Sequence, residues 1–440
     1  IVGAGRSGIA VARLLSGKNA EVFLTDNGPI DAAAQATLTE LNIPFEYDGH
    51  SPRAIAADWI VISPGVPTEA PIIRQALDQG IPVVSEIEVA FWYCRAPIIA
   101  ITGSNGKTTT ASLAAHFIRA SGRTTHLVGN IGLAFSDVVD SVASTDAVVL
   151  EVSSFQLDHV STFRPGVSVL LNITPDHLSR YQNSFEAYKR SKLRIFENQR
   201  LGDVAVLNVD DEVTRDSAKS VPDQVRRLDI SLSREVPSGA FLRDDEIILR
   251  YDKKEEILMH RQEVSVRGRH NLYNTLAAAV AARIMEVRSD VIRESMATFQ
   301  GVPHRLELVR EIGGVQFFND SKATNVNAVW YALESFSERI ILIAGGRDKG
   351  NDYEPLRELV RKKVGTILAI GEAADTILET LGGETQTAVK LDSLRDAVDR
   401  SRLLAKPGEV VLLSPACASF DQFDNYEDRG DSFKRYVAEL

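Results

Sequence analysis

The chain has 440 residues, 44% apolar and 25% charged, a balance typical of soluble globular proteins and long enough for two or three domains. Its formal net charge of −11 disfavours a broad nucleic-acid or membrane surface, and no run of 18 apolar residues offers a membrane span. Two widely separated cysteines, Cys94 and Cys417, give neither a disulfide framework nor metal spacing, and read as inert thiols of a reducing compartment.

The chain opens at Ile1-Val2-Gly3, inside what reads as a strand, so a few residues including an initiator Met are expected before it. Gly3-Ala4-Gly5-Arg6-Ser7-Gly8 follows, matching G-x-G-x-x-G, and leads into a helical pattern from Ile9 to Leu15. Asp26 lies just beyond a predicted strand, Glu21–Leu24, near the acidic position of dinucleotide folds. Small glycines let backbone amides approach a diphosphate at a helix N-terminus. A nucleotide sugar, NAD and an unliganded tight turn all remain open at this motif.

A second strand-loop-helix unit begins near Pro97. The strand Ile98–Ile101 runs into Thr102-Gly103-Ser104-Asn105-Gly106-Lys107-Thr108-Thr109, and a helix is predicted to Ala120. Backbone amides of such a loop cradle phosphates, Lys107 supplies charge and the Thr108 hydroxyl suits Mg²⁺, which points to ATP. The next predicted strand, Asp146–Leu150, ends at Glu151, a natural Mg²⁺ ligand beside that loop. Another, Val167–Ile173, precedes Asp176-His177. A polar stretch, Arg226–Glu263, with pieces such as Glu246–Leu249, reads as a small β-rich insertion. Gly301-Val302-Pro303 interrupts a helical pattern and opens a third block with strands at Val315–Phe318, Ile340–Ala344 and Val410–Leu413. The alternation predicts an α/β fold with largely parallel sheets, functional loops lying at the strands' carboxyl ends.

Taken together, the phosphate loop, Glu151-Val152-Ser153-Ser154-Phe155-Gln156, Asp176-His177, His270-Asn271-x-x-Asn274 and His304-Arg305 resemble the Mur ligase family. Asn319-Asp320-Ser321-Lys322-Ala323-Thr324-Asn325, Gly345-Gly346-Arg347-Asp348-Lys349-Gly350 and Leu413-Ser414-Pro415-Ala416-Cys417-Ala418-Ser419-Phe420-Asp421-Gln422-Phe423 extend the match in family order. The last two resemble the D-glutamate-adding branch, and the Asp-Asn-Pro-Arg box of the diamino-acid-adding branch is absent. The resemblance implies three domains. A Rossmann-like one, 1–85, would bind the UDP-sugar substrate. A P-loop ATPase-like one, 86–301, would bind ATP. A Rossmann-like one, 302–440, would bind the amino acid. It further implies an ATP-dependent ligase joining UDP-N-acetylmuramoyl-L-alanine to D-glutamate through an acyl phosphate, in cytoplasmic peptidoglycan precursor synthesis. A monomer is expected, with no nucleic-acid partner.

Roles follow from the same resemblance. Gly3, Gly5, Gly8 and Asp26 would face the uridine diphosphate, and Asn130 the muramoyl group. Gly103 to Thr109 would hold ATP phosphates, with Lys107 as their clamp. Thr108 and Glu151 would bind one Mg²⁺ and His177 a second, beside a carbamylated Lys192. Asn271 would approach the adenine with Asn274 nearby, and Arg305 and Asp320 the ribose and phosphates. Lys322, Thr324, Lys349, Ser419 and Phe420 would surround D-glutamate.

Overall fold

The computed structural model describes residues 1–252, 254–348 and 350–440. They divide into two compact units, 1–264 with 273–299 and 265–272 with 300–440.

The first unit begins with short parallel segments. Leu24–Thr25 pairs with Phe45–Glu46, and Ile60–Ile62 with Val83–Ser85. Val2 bridges Thr25 on one side and Ile62 on the other, both parallel, and so joins the two pairs. The predicted strand Glu21–Leu24 is displaced to Leu24–Thr25, because only there does the ladder to Val2 and Phe45 form. Helix Arg6–Ser16 follows the glycine turn and buries Ala10, Val11, Ala12 and Leu14.

A nine-stranded sheet dominates this unit. Its order is Lys254–His260, Glu246–Tyr251, Gly239–Arg243, Arg226–Ser231, Val204–Asn208, Val167–Leu170, Ile98–Thr102, Ala147–Glu151, Thr125–Gly129. Seven strands, from Thr125–Gly129 to Gly239–Arg243, pair in parallel, and two antiparallel ones close the edge. The polar stretch is β-rich as expected, and its strands prolong the central sheet. Ile98–Thr102 and Ala147–Glu151 are buried at every position. Such strands read as continuous β-branched runs because both faces are covered, each buried Val or Ile contributing ~1.5–3 kcal/mol. Val167–Leu170 stops three residues before the expected end, and the chain beyond it turns toward the phosphate loop.

The second unit holds a six-stranded sheet ordered Glu307–Ile312, Val315–Asn319, Val410–Leu413, Ile340–Gly345, Val364–Ile370, Thr387–Lys390. Only the first pairing is antiparallel. Leu342 belongs to one apolar cluster with Val329 and Phe336, whereas Ile341 and Ile343 join another with Val398 and Phe433. Alternate residues thus feed two cores on opposite faces. Among the described residues, no helix is long and apolar enough to cross a membrane.

Candidate functional site

The strand Ile98–Thr102 lies between Val167–Leu170 and Ala147–Glu151 and delivers the phosphate loop at its carboxyl end. Gly106, at φ +87°, caps the helix Lys107–Ala120 in the left-handed region. A Cβ there would lie 2.3 Å from Asn274 Oδ1, which also accepts from Thr110 Oγ1 at 3.2 Å. Thr108 and Thr109 are buried in the first turn. Lys107 Nζ folds back and donates to the carbonyls of Gly103 (2.8 Å) and Ser104 (2.9 Å).

Residues that sequence reasoning does not single out brace this loop. Asn105 N donates to Asn172 Oδ1, and Asn172 Nδ2 returns a bond to Asn105 O. Ser104 Oγ donates to Thr174 O at 2.8 Å and lies 2.9 Å from Tyr188 Oη. Asn172 and Thr174 follow the strand Val167–Leu170, so two adjacent strand ends lock one another.

Glu151 is 2% exposed at the end of the neighbouring strand. Its Oε1 accepts from Asn130 Nδ2 at 3.0 Å, and its Oε2 is buried without a hydrogen-bond partner. A buried, half-satisfied carboxylate beside a phosphate loop is suited to a cation. Lys192, 2% exposed on the helix Phe185–Leu193, donates its Nζ to Gly103 O at 2.9 Å. Burial first, and the charge of Lys107 second, hold its amine well below the usual lysine range. Lys107 and Lys192 thus share one carbonyl, which explains their mutual repulsion. His177 precedes the short helical turn Leu178–Tyr181. Its exposed ring meets the edge of Phe155 at 5.3 Å, and its backbone adopts φ +50°. Among the described residues, no three His, Cys, Asp or Glu side chains form a ready-made metal cage.

The glycine turn at Gly3 borders a cleft of about 730 Å³, lined in part by Gly3, Asp26, His50, Ser51, Gly65 and Val66. Gly3, at φ +101°, faces Ser63, whose Cβ would lie 2.8 Å from an added methyl. Gly5 precedes the helix and has open space around its missing side chain. Gly8 faces the turn's own backbone, where a Cβ would meet Gly3 O at 1.9 Å. Asp26 lines the cleft, but its two oxygens already accept from Ala4 N (2.6 Å) and Gly28 N (2.9 Å). Its carboxylate closes the turn.

In the second unit, Asn271 Nδ2 donates to Arg267 O at 2.7 Å. Arg305 lies 3.9 Å from Asp320, which is 1% exposed. Asp320 also accepts from Ser414 Oγ (2.8 Å) and Leu306 N (3.3 Å). Burial pushes its pKa up to about 6 against the pull of Arg305. Lys322 Nζ lies over the Tyr426 ring at 5.3 Å, and Thr324 N donates to Lys322 O. Ser419 is buried and accepts from the amides of Gln422 and Phe423, whereas Phe420 is 57% exposed. Buried Arg429 binds these loops together through Ser321, Cys417 and Ala418 carbonyls. No sequence pattern announces Arg429, because its partners, the Ser321 hydroxyl apart, are backbone carbonyls. Lys349 lies outside the described residues.

Comparison with known proteins supplies the family. A Mur ligase middle domain matches residues 101–282, a Mur ligase glutamate ligase domain 304–417, and a MurD N-terminal domain 1–72. The UDP-N-acetylmuramoylalanine–D-glutamate ligase of Salinibacter ruber is 54% identical, covering 100% of this chain and 97% of that protein. The ligase of the same name from Chlorobium limicola is 45% identical with the same coverage. Two solved structures share the fold at 20% identity. They are a pseudomurein peptide ligase type C from Methanothermus fervidus (TM-score 0.62) and the UDP-N-acetylmuramate-alanine ligase of Thermotoga maritima (TM-score 0.59), which match 100% of this chain and 98% and 99% of their own lengths respectively. With three Mur domains in order and full-length relatives far above chance identity, the chain belongs to the Mur ligase family.

Proposed function

We propose that this chain is an ATP-dependent ligase that adds D-glutamate to UDP-N-acetylmuramoyl-L-alanine in cytoplasmic peptidoglycan precursor synthesis, acting as a monomer. Full-length relatives bear that name. The observation that carries the chemistry is the cluster of half-buried Lys107 with buried Lys192 and Glu151 around the phosphate loop.

A carboxylate is a poor electrophile. Its oxygen attacks the γ-phosphorus of ATP and ADP leaves; the amine of D-glutamate then attacks the acyl carbon and phosphate leaves. Positioning and charge neutralisation supply most of the acceleration. Lys107, now tied to two carbonyls, turns its charge to the phosphates. Gly103 and Gly106 keep side chains away from them. Bound Mg²⁺ would neutralise phosphate charge and polarise the reacting oxygens. Glu151 and Thr108 would hold one ion, phosphate oxygens completing its shell, and His177 with a carbamylated Lys192 a second. A depressed amine pKa favours carbamylation, since only the neutral amine attacks CO₂. Asn130, which already fixes Glu151, would meet the muramoyl end. Gly3 and Asp26 line the cleft that would take the uridine diphosphate, and Gly5 and Gly8 belong to the turn and helix start beside it. Arg305, Asp320, Asn271 and Asn274 are assigned to ATP, and Lys322, Thr324, Lys349, Ser419 and Phe420 to the amino acid, whose two carboxylates call for cations and hydroxyl donors.

The test is phosphate release from ATP with UDP-N-acetylmuramoyl-L-alanine and, in turn, D-glutamate, L-glutamate, L-alanine or a diamino acid. Release with D-glutamate alone is expected. Release with another amino acid moves the chain to a sister activity, and none at all overturns the ligase reading.

A further inference from the structure

A guanidinium joins the wall of the sugar-nucleotide cleft to the catalytic edge of the central sheet. Arg180 follows His177 in a short helical turn, Leu178–Tyr181. Its terminal nitrogens donate to three successive carbonyls, Pro64 (3.1 Å), Gly65 (3.2 Å) and Val66 (3.0 Å). These residues form the turn after the strand Ile60–Ile62, closed by Val66 N donating to Ser63 O. Gly65 and Val66 line the cleft. Val66 also faces the glycine turn, its Cγ2 lying 3.0 Å from where a Cβ on Gly3 would stand. Arg180 therefore holds one wall of the cleft in place against the other.

The central carbon of the same guanidinium lies 4.3 Å over the Phe155 ring. Phe155 stacks on Tyr181 (6.0 Å) and meets His177 edge-on (5.3 Å). It sits in the short helix Ser154–Leu157, just after the strand that ends at Glu151. Tyr181 Oη donates to Asp158 Oδ2, anchoring the loop from below. Yet His177, Gln182 and Asn183 all have left-handed backbones, so this loop keeps its shape only while its anchors hold. Neutral carbonyls on one edge and an aromatic face on the other make an arrangement that arginine's planar fork fits and lysine's point charge does not.

We propose that Arg180 is a positioning residue that couples occupancy of the sugar-nucleotide cleft to the placement of His177 and Phe155. The proposal rests on reading that cleft as the UDP-sugar site. Substrate seated against Gly65 and Val66 firms the three carbonyls, these orient the guanidinium, and the guanidinium fixes the ring that packs on His177. Arg180 itself touches no reacting atom.

The test is steady-state kinetics of Arg180→Ala and Arg180→Lys, with calorimetric titration of UDP-N-acetylmuramoyl-L-alanine and UDP. In Arg180→Ala we expect KM for the sugar nucleotide to rise at least tenfold and kcat to fall, while KM for ATP stays within about twofold. Arg180→Lys should recover only part of the loss, and Phe155→Leu should add little once Arg180 is gone. Equal changes in every KM, or a lowered melting temperature with unchanged kinetics, would mean an ordinary structural arginine and overturn the proposal. If Arg180→Ala does not fold, Arg180→Lys decides: an unaltered KM for the sugar nucleotide overturns it, a several-fold rise at near-native melting temperature supports it. Wild-type enzyme that turns over no sugar nucleotide refutes the functional reading instead, and UDP binding to wild type and variants then still reports on the clasp.

Discussion

Single side chains carry the most direct tests. Lys192 is buried, its amine held well below the usual lysine range by that burial, and bonded to Gly103 O, so its ordinary role as a solvated helix cation is closed to it. Lys192→Ala should lose at least 100-fold in kcat, and short carboxylates added to the assay should restore part of it by standing in for a carbamate. Full activity without rescue would remove Lys192 from the mechanism. Asp320 makes the opposite bargain. Its folded pKa is about 6 against an ordinary 3.8, so the folded chain holds this proton more tightly than the unfolded one. Stability from that proton is complete below pH 4 and is lost as pH rises through 6, a cost of about 3 kcal/mol at neutral pH. Asparagine keeps the acceptor for Leu306 N, and the Ser414 hydroxyl can turn to accept from the new amide. Asp320→Asn should therefore melt no lower than wild type at pH 8, with any gain shrinking toward pH 5, while phosphate release collapses. Melting curves across that range, read beside activity, check both halves; a variant that melts well below wild type at pH 8 would contradict the assignment of the cost.

At the scale of elements, the glycine that starts the helix Lys107–Ala120 decides whether the loop can exist. Gly106→Ala places a methyl 2.3 Å from Asn274 Oδ1 in a left-handed backbone. The backbone term alone is worth ~1–2 kcal/mol, and displacing Asn274 breaks its bond from Thr110. A lower melting temperature and a KM for ATP raised at least tenfold are expected; native values of both would show the loop to be adaptable. This motif was legible in the sequence because strand, glycine loop and helix are consecutive. So were the strands Ile98–Thr102, Ala147–Glu151 and Val410–Leu413, whose β-branched runs follow from burial on both faces. The braces were not legible. Asn172 meets Asn105 across 67 residues, and Tyr188 meets Ser104 across 84, so nothing local marks either. Arg180 and Arg429 bind carbonyls, which every residue carries, and no residue pattern can name such partners. The β-rich character of Arg226–Glu263 was legible too, but its partner strand, Val204–Asn208, is identified only by the ladder itself.

At the scale of the whole molecule, the response to a ligand depends on where its binding energy is stored. The net charge of −11 leaves anion recognition to local features, and Lys107 with the backbone amides of the phosphate loop supplies it inside the first unit. The cleft bounded by Gly3, Asp26, His50, Gly65 and Val66 also belongs wholly to that unit. A ligand that binds only the folded cleft stabilises it by mass action, ~2.7 kcal/mol at a hundredfold excess over Kd. UDP-N-acetylmuramoyl-L-alanine, given without ATP or amino acid, should therefore slow amide exchange most around residues 2–8, 26–28, 50–52 and 63–67. Exchange in the sheet formed by Val315–Asn319, Val410–Leu413 and Ile340–Gly345 should be unchanged. Local openings near a site respond to its ligand first, and a packed core elsewhere responds only through global unfolding. Protection confined to residues 300–440 would place the sugar nucleotide outside the glycine-turn cleft, and with it would fall the roles given to Gly3, Gly5 and Asp26.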